Sequence, residues 1–288
     1  MDAPNDTLSV ESRALLALWA VPGLGPKALQ GLRDFCEGEP ARLLDLPLAD
    51  WVEEAPLPTP VRETLRPLNT TLARVAERVQ ERCAQAGIRV AFQGEPAYPE
   101  RLCEVEDAPP LLFYRGAPGA PRRRIAMVGS RKPEQGFLPF ARSFARSVAG
   151  HTASPGIVSG AAIGVDHACH VGALEAGGET WAFLGSALDE LDSAQARLLP
   201  HLLEGGGRCF TELPPGVRAS KNSFPRRNRL ISGASDAVLV LRAAKDSGSL
   251  HTARAAWTPS SSPPTRIARA RPSPGTSTTS WATRASSA

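Results

Sequence analysis

The sequence predicts an α/β protein with a mostly parallel sheet that helices cover on both faces. Three observations support this fold class. From residue 124 onward, short apolar segments typical of buried strands alternate with segments of helical periodicity. Several of these strands end in glycine or a small polar residue. Residues 1–86 contain only helical patterns, so we expect a small all-helical domain there, followed by the α/β domain over residues 87–256.

The first helical domain begins with two short helices joined by a tight turn. Residues 9–20 and 27–35 have helical patterns, and the intervening segment is rich in proline and glycine. This arrangement resembles the helix-hairpin-helix element, in which hairpin amides and a following lysine, here Lys27, face a DNA backbone. The alternative is an ordinary glycine turn between two packed helices. Short helices are expected within residues 40–70, and a strongly amphipathic helix over residues 72–86.

The α/β domain is predicted element by element. The expected strands are 88–92, one within 109–116, 125–128, 156–159, 180–184, 208–211 and 237–241. The expected helices are 135–149, 164–177, 193–203 and one beginning at 249 and running to 256. Ligands of such sheets bind outside the carboxyl ends of the strands, so the segments that follow each strand are the candidate site.

Residues 257–288 break this pattern. They are rich in Ser, Thr, Pro, Ala and Arg, and they contain no Asp or Glu. They show no helical or strand period. Two explanations remain open: a disordered tail, or a shift of reading frame in the gene just after codon 256.

The composition limits the possible functions of the protein but does not identify one of them. The formal net charge of +4 is only mildly basic, so the distribution of charge along the chain carries more information than its total. The five cysteines form no Cys-x-x-Cys pair and are expected to be reduced thiols of a cytoplasmic protein. His167, Cys169 and His170 are too close together on one helix to converge on a metal ion, so no metal site is predicted. We find no signal peptide or apolar run of membrane-spanning length.

Three segments combine into a predicted binding surface for a phosphate chain. Residues 128–131 and 158–166 are strand exits with glycine, where phosphate can approach backbone N–H groups. Residues 221–231 form a cationic segment, predicted to be a loop, that contains one phenylalanine and one proline. Arginine and lysine neutralise phosphates, and Phe224 offers a face for a base. Two simpler readings remain: Phe224 anchors the segment in the core, or one of the arginines pairs with Glu212.

No catalytic machinery is predicted. The chain has no G-x-G-x-x-G dinucleotide fingerprint, no Walker A lysine and no G-x-S-x-G elbow. No histidine has a clear acidic partner in the sequence, and a carboxylate beside phosphate would repel it. The surface is therefore interpreted as a binding site, without catalytic residues, cofactor or metal.

Five motifs, in order and spacing, resemble the DNA-processing protein A (DprA, also called Smf) family. The motifs are residues 128–131, 159–166, 211–216, 221–233 and 247–253. The resemblance covers about residues 95–256, and the motif at 221–233 is the most specific. It implies an extended Rossmann-like domain preceded by a SAM-like helical domain. It also implies a protein without enzymatic activity that binds incoming single-stranded DNA in natural transformation, protects it and loads the RecA recombinase onto it.

The resemblance also assigns roles to individual residues. Arg131, with Ser130 beside it, would hold a phosphate, as would Lys221, and Phe224 would contact a base. Five further residues of the matched motifs would support the same pocket. Ser159 and Gly160 would let the strand approach the backbone, and Arg227, Asn228 and Arg229 would shape the pocket.

The chain departs from the family pattern at two places. Residues 188–194 replace the Tyr-Pro element usual after Gly185, and residues 257–288 match none of the strand, Val-Pro-Gly loop or winged-helix domain expected there. The family's homodimer and recombinase surfaces lie toward that end, so these two functions of the chain are open. The alternative function is a nucleotide hydrolase of the phosphoribohydrolase type, but its Pro-Gly-Gly-x-Gly-Thr loop is missing.

Overall fold

The computed structural model describes residues 8–105, 107–117, 123–134, 136–242, 266–270 and 281–283. Five helices precede the sheet: α1 Val10–Trp19, α2 Pro26–Phe35, α3 Leu48–Trp51, α4 Thr59–Leu65 and α5 Leu72–Gln85. The helices α1 and α5 begin where a side-chain oxygen, from Ser9 and Thr71 respectively, accepts a hydrogen bond from the first turn. The helices predicted for residues 9–86 are thereby confirmed.

The α/β part follows the predicted alternation closely. Its strands are β1 Arg89–Phe92, β2 Leu111–Arg115, β3 Arg124–Gly129, β4 Gly156–Ser159, β5 Thr180–Phe183, β6 Arg208–Thr211 and β7 Ala237–Arg242. Its helices are α6 Phe137–Ala149, α7 Val165–Glu175, α8 Ser193–Glu204 and α9 Ser223–Gly233. Two more short strands, β8 Arg266–Ala270 and β9 Trp281–Thr283, occur later in the chain.

The strands of the described residues form one sheet in the order β1-β2-β6-β5-β4-β3-β7-β8-β9. The pairs from β6 to β8 are parallel, whereas β1 and β2 add an antiparallel margin at one edge and β9 at the other. The chain moves outward from β3 to β6 and then crosses back to β7 on the other side of β3. This reversal is the arrangement of doubly wound folds, in which the site lies at the carboxyl ends of the strands.

The two faces of the sheet are covered by different helices. Alternate strand residues point to opposite faces, so Met127 and Ile157 pack with α6 and α7, while Val128 and Val158 pack with α9. A third apolar cluster joins the helices α1–α5 to β1, β2 and α8, with Leu16 and Phe113 fully buried in it. The helical and α/β parts therefore share buried apolar surface, and the fold class predicted from the sequence is confirmed.

The segment 221–231 is not a loop, as the sequence predicted, but contains most of α9. Pro225 is the third residue of this helix, where the backbone N–H has no intrahelical acceptor, so proline is tolerated. Arg227, Leu230 and Ile231 are buried at helical spacing and hold the helix against the sheet. The prediction gave too much weight to Phe-Pro as a loop signal, because it ignored the first-turn exception.

Three sequence predictions fall at the end of the chain. The helix over residues 249–256 and the motif at 247–253 lie outside the described residues. The strands β8 and β9 lie inside the range 257–288, and the assignment of that range as a tail stays a prediction, as do the domain boundaries. In the described part of the chain, every helix is too short or too polar to span a lipid bilayer.

Gly172 sets how closely α6 and α7 approach. A Cβ at this position would overlap the carbonyl oxygen of Arg142, whereas a Cβ at Gly31, inside α2, would make only an ordinary contact of 3.5 Å with Pro56. We expect Gly172→Ala to lower the free energy of unfolding by about 1–3 kcal/mol, because the helices must move apart. The matched change Gly31→Ala should instead raise it by about 0.5–1 kcal/mol through helix propensity. Denaturant titration of both variants measures these changes, and equal effects would contradict the close-packing argument.

Candidate nucleic-acid interface

The loops after β3 and β5 meet the first turn of α9. The guanidinium carbon of Arg131 lies 4.8 Å from the centroid of the Phe224 ring. The other side of this contact is Gly185, where a Cβ would lie 3.0 Å from the Phe224 ring. Lys221 is exposed and lies three residues before Phe224. The structure thus brings Arg131 and Phe224 together, and Phe224 is half-buried, while Lys221 lies in the turn just before α9.

Arg227 connects α9 to the loop that follows β4. Its side chain is buried, and one terminal nitrogen donates to the carbonyl oxygens of Gly160 and Phe183, each at 2.5 Å. Only glycine fits at position 160, because a Cβ there would overlap the Arg227 guanidinium. Arg227 is therefore buried against the backbone of two strand ends and is not an exposed phosphate ligand, and its role in shaping a pocket stays a prediction.

Asp166 supplies the compensating charge. Its carboxylate accepts a hydrogen bond from the amide of Gly129 at 3.3 Å and a further one from the amide of Gly160. Burial raises the pKa of Asp166, an effect that Arg227 opposes. Burial likewise lowers the pKa of Arg227 to about 10, while Asp166 acts in the opposite direction. One buried carboxylate therefore links both glycine-bearing loops, and its charge stabilises the nearby guanidinium of Arg227.

His170 holds the loop that follows β4 in place through a hydrogen bond. Thr180 donates its hydroxyl proton to the carbonyl of Ile157, so its oxygen accepts the Nδ1 proton of His170 at 2.7 Å. The Nε2 atom of His170 is left to accept the amide of Ala161 at 3.3 Å. Ala161 has a φ of 52°, which a non-glycine residue rarely adopts. The neutral imidazole thus holds a strained residue next to Gly160.

The two serines among the predicted site residues make internal hydrogen bonds. Ser159 is fully buried, and its hydroxyl donates to the carbonyl of Met127 at 2.6 Å. The hydroxyl oxygen of Ser130 accepts the amide of Lys132 at 3.1 Å and orders the first loop. Ser130 follows β3 and Ser159 ends β4, as the sequence predicted. The hydroxyl of Ser159 is engaged with the backbone, so any contribution of this residue to the site would come from its position at the end of the strand.

Arg229 faces away from Arg131 and Phe224. It donates to the carboxylate of Glu212 at 2.5 Å and lies 3.0 Å from a carboxylate oxygen of Asp107. The reading in which an arginine pairs with Glu212 thus describes Arg229, and Arg226 adds a more exposed contact to Glu212 at 3.5 Å. Asn228 is half-buried on the same helix. A contribution of Arg229 and Asn228 to a ligand pocket stays a prediction.

Lys27 is separate from the other predicted residues. It is exposed near the start of α2, directly after the turn that contains Gly23 with a φ of 84°. The helical part nevertheless contacts the site region, because the indole of Trp19 donates to the backbone carbonyl of Glu212 at 2.8 Å. Sequence reasoning missed this contact and the role of His170, since neither has a local motif.

The described residues contain no cluster of three or more His, Cys, Asp or Glu side chains able to hold a metal ion. The fold and the site together define a Rossmann-like α/β protein with cationic and aromatic side chains at the carboxyl ends of its strands. Such a surface suits an anionic chain with exposed planar groups.

Comparison with known proteins identifies the family. The family model described as DNA recombination-mediator protein A matches residues 89–262. The chain belongs to this family. It is 41% identical over 161 residues to the protein Smf of Escherichia coli, an alignment that covers 55% of this chain and 42% of that protein. The chain spans about half the length of the curated relatives it matches.

Two solved structures extend the comparison. The DNA processing protein A of Streptococcus pneumoniae matches with a TM-score of 0.65 at 27% identity, covering 86% of this chain and 83% of that one. The DNA processing protein A of Helicobacter pylori, whose structure concerns its single-stranded DNA binding mode, matches with a TM-score of 0.51 at 25% identity. That match covers 59% of this chain and 77% of the Helicobacter chain. The family resemblance stated from the motifs is confirmed.

The buried pair of Glu212 and Arg229 generates a stability prediction. Arg229→Ala leaves the Glu212 carboxylate, which is 4% exposed, without its closest cation. We expect a loss of about 3–5 kcal/mol in the free energy of unfolding, since an unpaired buried charge is costly. Arg226→Ala removes a half-exposed contact to the same carboxylate and should cost less than about 1 kcal/mol. Parallel urea titrations test this, and similar losses for both variants would refute the assignment.

The buried His170 predicts a pH dependence of stability. Burial, followed by the charges of His167 and Arg227, lowers the pKa of His170 to about 3. The unfolded chain takes up this proton near pH 6.5, so stability is complete above that pH and falls as the pH decreases toward 3. Between pH 7 and pH 5 the loss from this group should reach about 2 kcal/mol.

Two variants separate the contribution of His170 to this pH dependence from that of other titrating groups. His170→Gln removes the titrating group, so its unfolding free energy should change less between pH 7 and pH 5 than that of the wild type. His201→Gln, at an exposed position, should retain the wild-type slope. Asp166 adds an opposite contribution, because its raised pKa favours the folded state at lower pH, but all three proteins share it. Identical slopes for the His170 variant and the wild type would contradict the neutral imidazole.

Proposed function

We propose that this protein binds single-stranded DNA at the surface formed by the first loop and the start of α9. The observation that carries the proposal is the contact of Arg131 with the Phe224 ring at 4.8 Å, with the exposed Lys221 three residues before Phe224 in the chain. Cations that meet phosphates beside a ring that stacks on bases are the usual elements of single-strand binding without sequence preference. The Helicobacter relative, a DNA processing protein A with a single-stranded DNA binding mode, supports the same ligand.

The pocket is built for binding and not for bond cleavage. Arg227, Asp166 and His170 are buried and use their polar atoms on the backbone of the loops. We therefore propose that the protein is not an enzyme and that it needs no cofactor or metal for this function. Phosphates would meet Arg131 and Lys221, because both side chains are exposed, whereas Gly160 is buried with the Arg227 guanidinium beside its Cα.

The proposed biological role follows from membership of the recombination-mediator family. In natural transformation the protein would bind DNA that enters the competent cell, protect it and load the RecA recombinase in the cytoplasm. We also propose a homodimer. Because the chain spans about half of the curated relatives, recombinase loading and dimer formation need direct measurement by RecA filament assembly and by sedimentation.

Salt-dependent binding tests the pocket. Lys221→Ala should weaken the binding of a labelled single strand and make the dependence of log K on log salt shallower by about 0.7, the value of one phosphate contact. Arg78→Ala, at an exposed position on α5, controls for the general loss of one positive charge. Fluorescence anisotropy across a salt series gives both quantities. An equal effect of the two substitutions would remove Lys221 from the interface.

Phe224→Ala should reduce the affinity for single strands by about 1–3 kcal/mol, the usual contribution of one stacked base. Phe224→Leu retains apolar volume against Gly185 but not the aromatic face, so it separates stacking from packing. Duplex DNA of the same sequence should bind more weakly than the single strand, since its bases are not available to the ring. If Phe224→Ala binds single strands as tightly as the wild type, the pocket is assigned to the wrong ligand.

A further inference from the structure

A groove lies on the outer face of α7, between α6 and α8. Its volume is about 760 Å³, and Val171 of α7 is part of its lining. One rim carries Arg146 on α6 and the other carries Arg197 on α8. The proposed pocket, which the loops after β3 and β5 form with the start of α9, does not use this groove.

The groove is positively charged. Arg142 pairs with Glu175, the one acidic residue among the described groove-lining residues. Arg146 and Arg197 are exposed, and within the described ranges neither has a carboxylate oxygen within 4.0 Å. Burial and the neighbouring Arg197 lower the pKa of His167 on the groove floor, as expected in a positive potential. Two unneutralised arginines facing each other across a groove favour an anionic occupant.

The mouth of the groove adjoins the proposed DNA pocket. Ile163 lines the groove and is 64% exposed. The next two residues contact the first loop. The amide of Val165 donates to the carbonyl of Ser130 at 3.1 Å, and a Cβ on Gly164 would be 2.7 Å from the carbonyl oxygen of Arg131. The backbone at the mouth of the groove therefore packs directly against the backbone of the first loop, which carries Arg131.

We infer that a single strand longer than the pocket continues past Ile163 into this groove, where Arg146 and Arg197 neutralise its phosphates. The inference rests on the proposed function. Residues 257–288 of the chain itself are a poor occupant, because they contain arginine and no acidic residue. An acidic peptide would also match the charge, but the continuity of the groove with the pocket favours the strand already bound there.

Strand length separates the groove from the pocket. The test compares wild type with Arg146→Ala/Arg197→Ala on oligothymidylates of about 6 and about 20 nucleotides, one near the lower end of the usual single-strand site sizes of about 4–16 nucleotides and one beyond their upper end. The short strand fills the pocket only, so the double variant should bind it like the wild type. For the long strand we expect about tenfold weaker binding and a salt slope shallower by about 1.4, the value of two phosphate contacts. Both arginines are exposed, so the variant is expected to fold normally.

Two controls make each outcome decisive. Arg78→Ala removes an exposed charge outside the groove and should leave the length dependence unchanged. Lys221→Ala should weaken both lengths. If the double variant binds the long strand like the wild type while Lys221→Ala weakens it, the groove inference is wrong and the pocket stands. If the double variant loses both lengths equally, the groove is not a separate path and the inference also fails. Absence of wild-type binding to either length would overturn the proposed function together with the inference.

Discussion

The structure around the candidate site depends on one buried ionic arrangement. Arg227 points from α9 into the sheet and donates to carbonyl groups that follow β4 and end β5. A guanidinium in this environment is stable only if its charge is compensated, and Asp166 at the start of α7 provides the compensation. Because the same carboxylate accepts hydrogen bonds from the amides of Gly129 and Gly160, Asp166 also sets the conformation of two loops. The conformation of the two loops, the position of α9 and the compensation of the buried charge therefore depend on the same few contacts.

A second buried carboxylate links the helical part to the same helix. Glu212 binds Arg229 of α9 through its side chain and the indole of Trp19 through its backbone. The apolar cluster shared by α1–α5 and the sheet adds area to this contact. The helical part is therefore a structural support of α9 in addition to any contact of Lys27 with DNA. A change in the packing of the helical part should alter the position of Phe224, because both depend on where α9 lies.

Some arginines are paired inside the protein and others are not, and this difference accounts for the anion binding that we propose for a mildly basic chain. Arg227 and Arg229 are consumed by internal carboxylates and carbonyls, and Arg142 by Glu175. The cations with no such partner in the described residues stand at the rim and along the groove, and Arg131 and Arg146 are two of them. Net charge is a weak guide here because it counts both groups equally, although only unneutralised charge attracts a polyanion.

The sequence alone determined the alternation of strands and helices, the small residues at the strand ends and the family motifs. These are local properties, since periodicity and turn residues act within a few positions. It also identified Arg131, Lys221 and Phe224 as candidates at one edge, because parallel strands share their carboxyl edge. It misread residues 221–231 as a loop. It could not tell which of Arg226, Arg227 and Arg229 would be buried, since successive helical positions point in different directions. Only the tertiary structure decided that the charge of Asp166 would act on the buried Arg227 and that Arg229 would pair with Glu212. These residues lie 61 and 17 positions apart in the chain, and burial is set by the packing of α9 on the sheet.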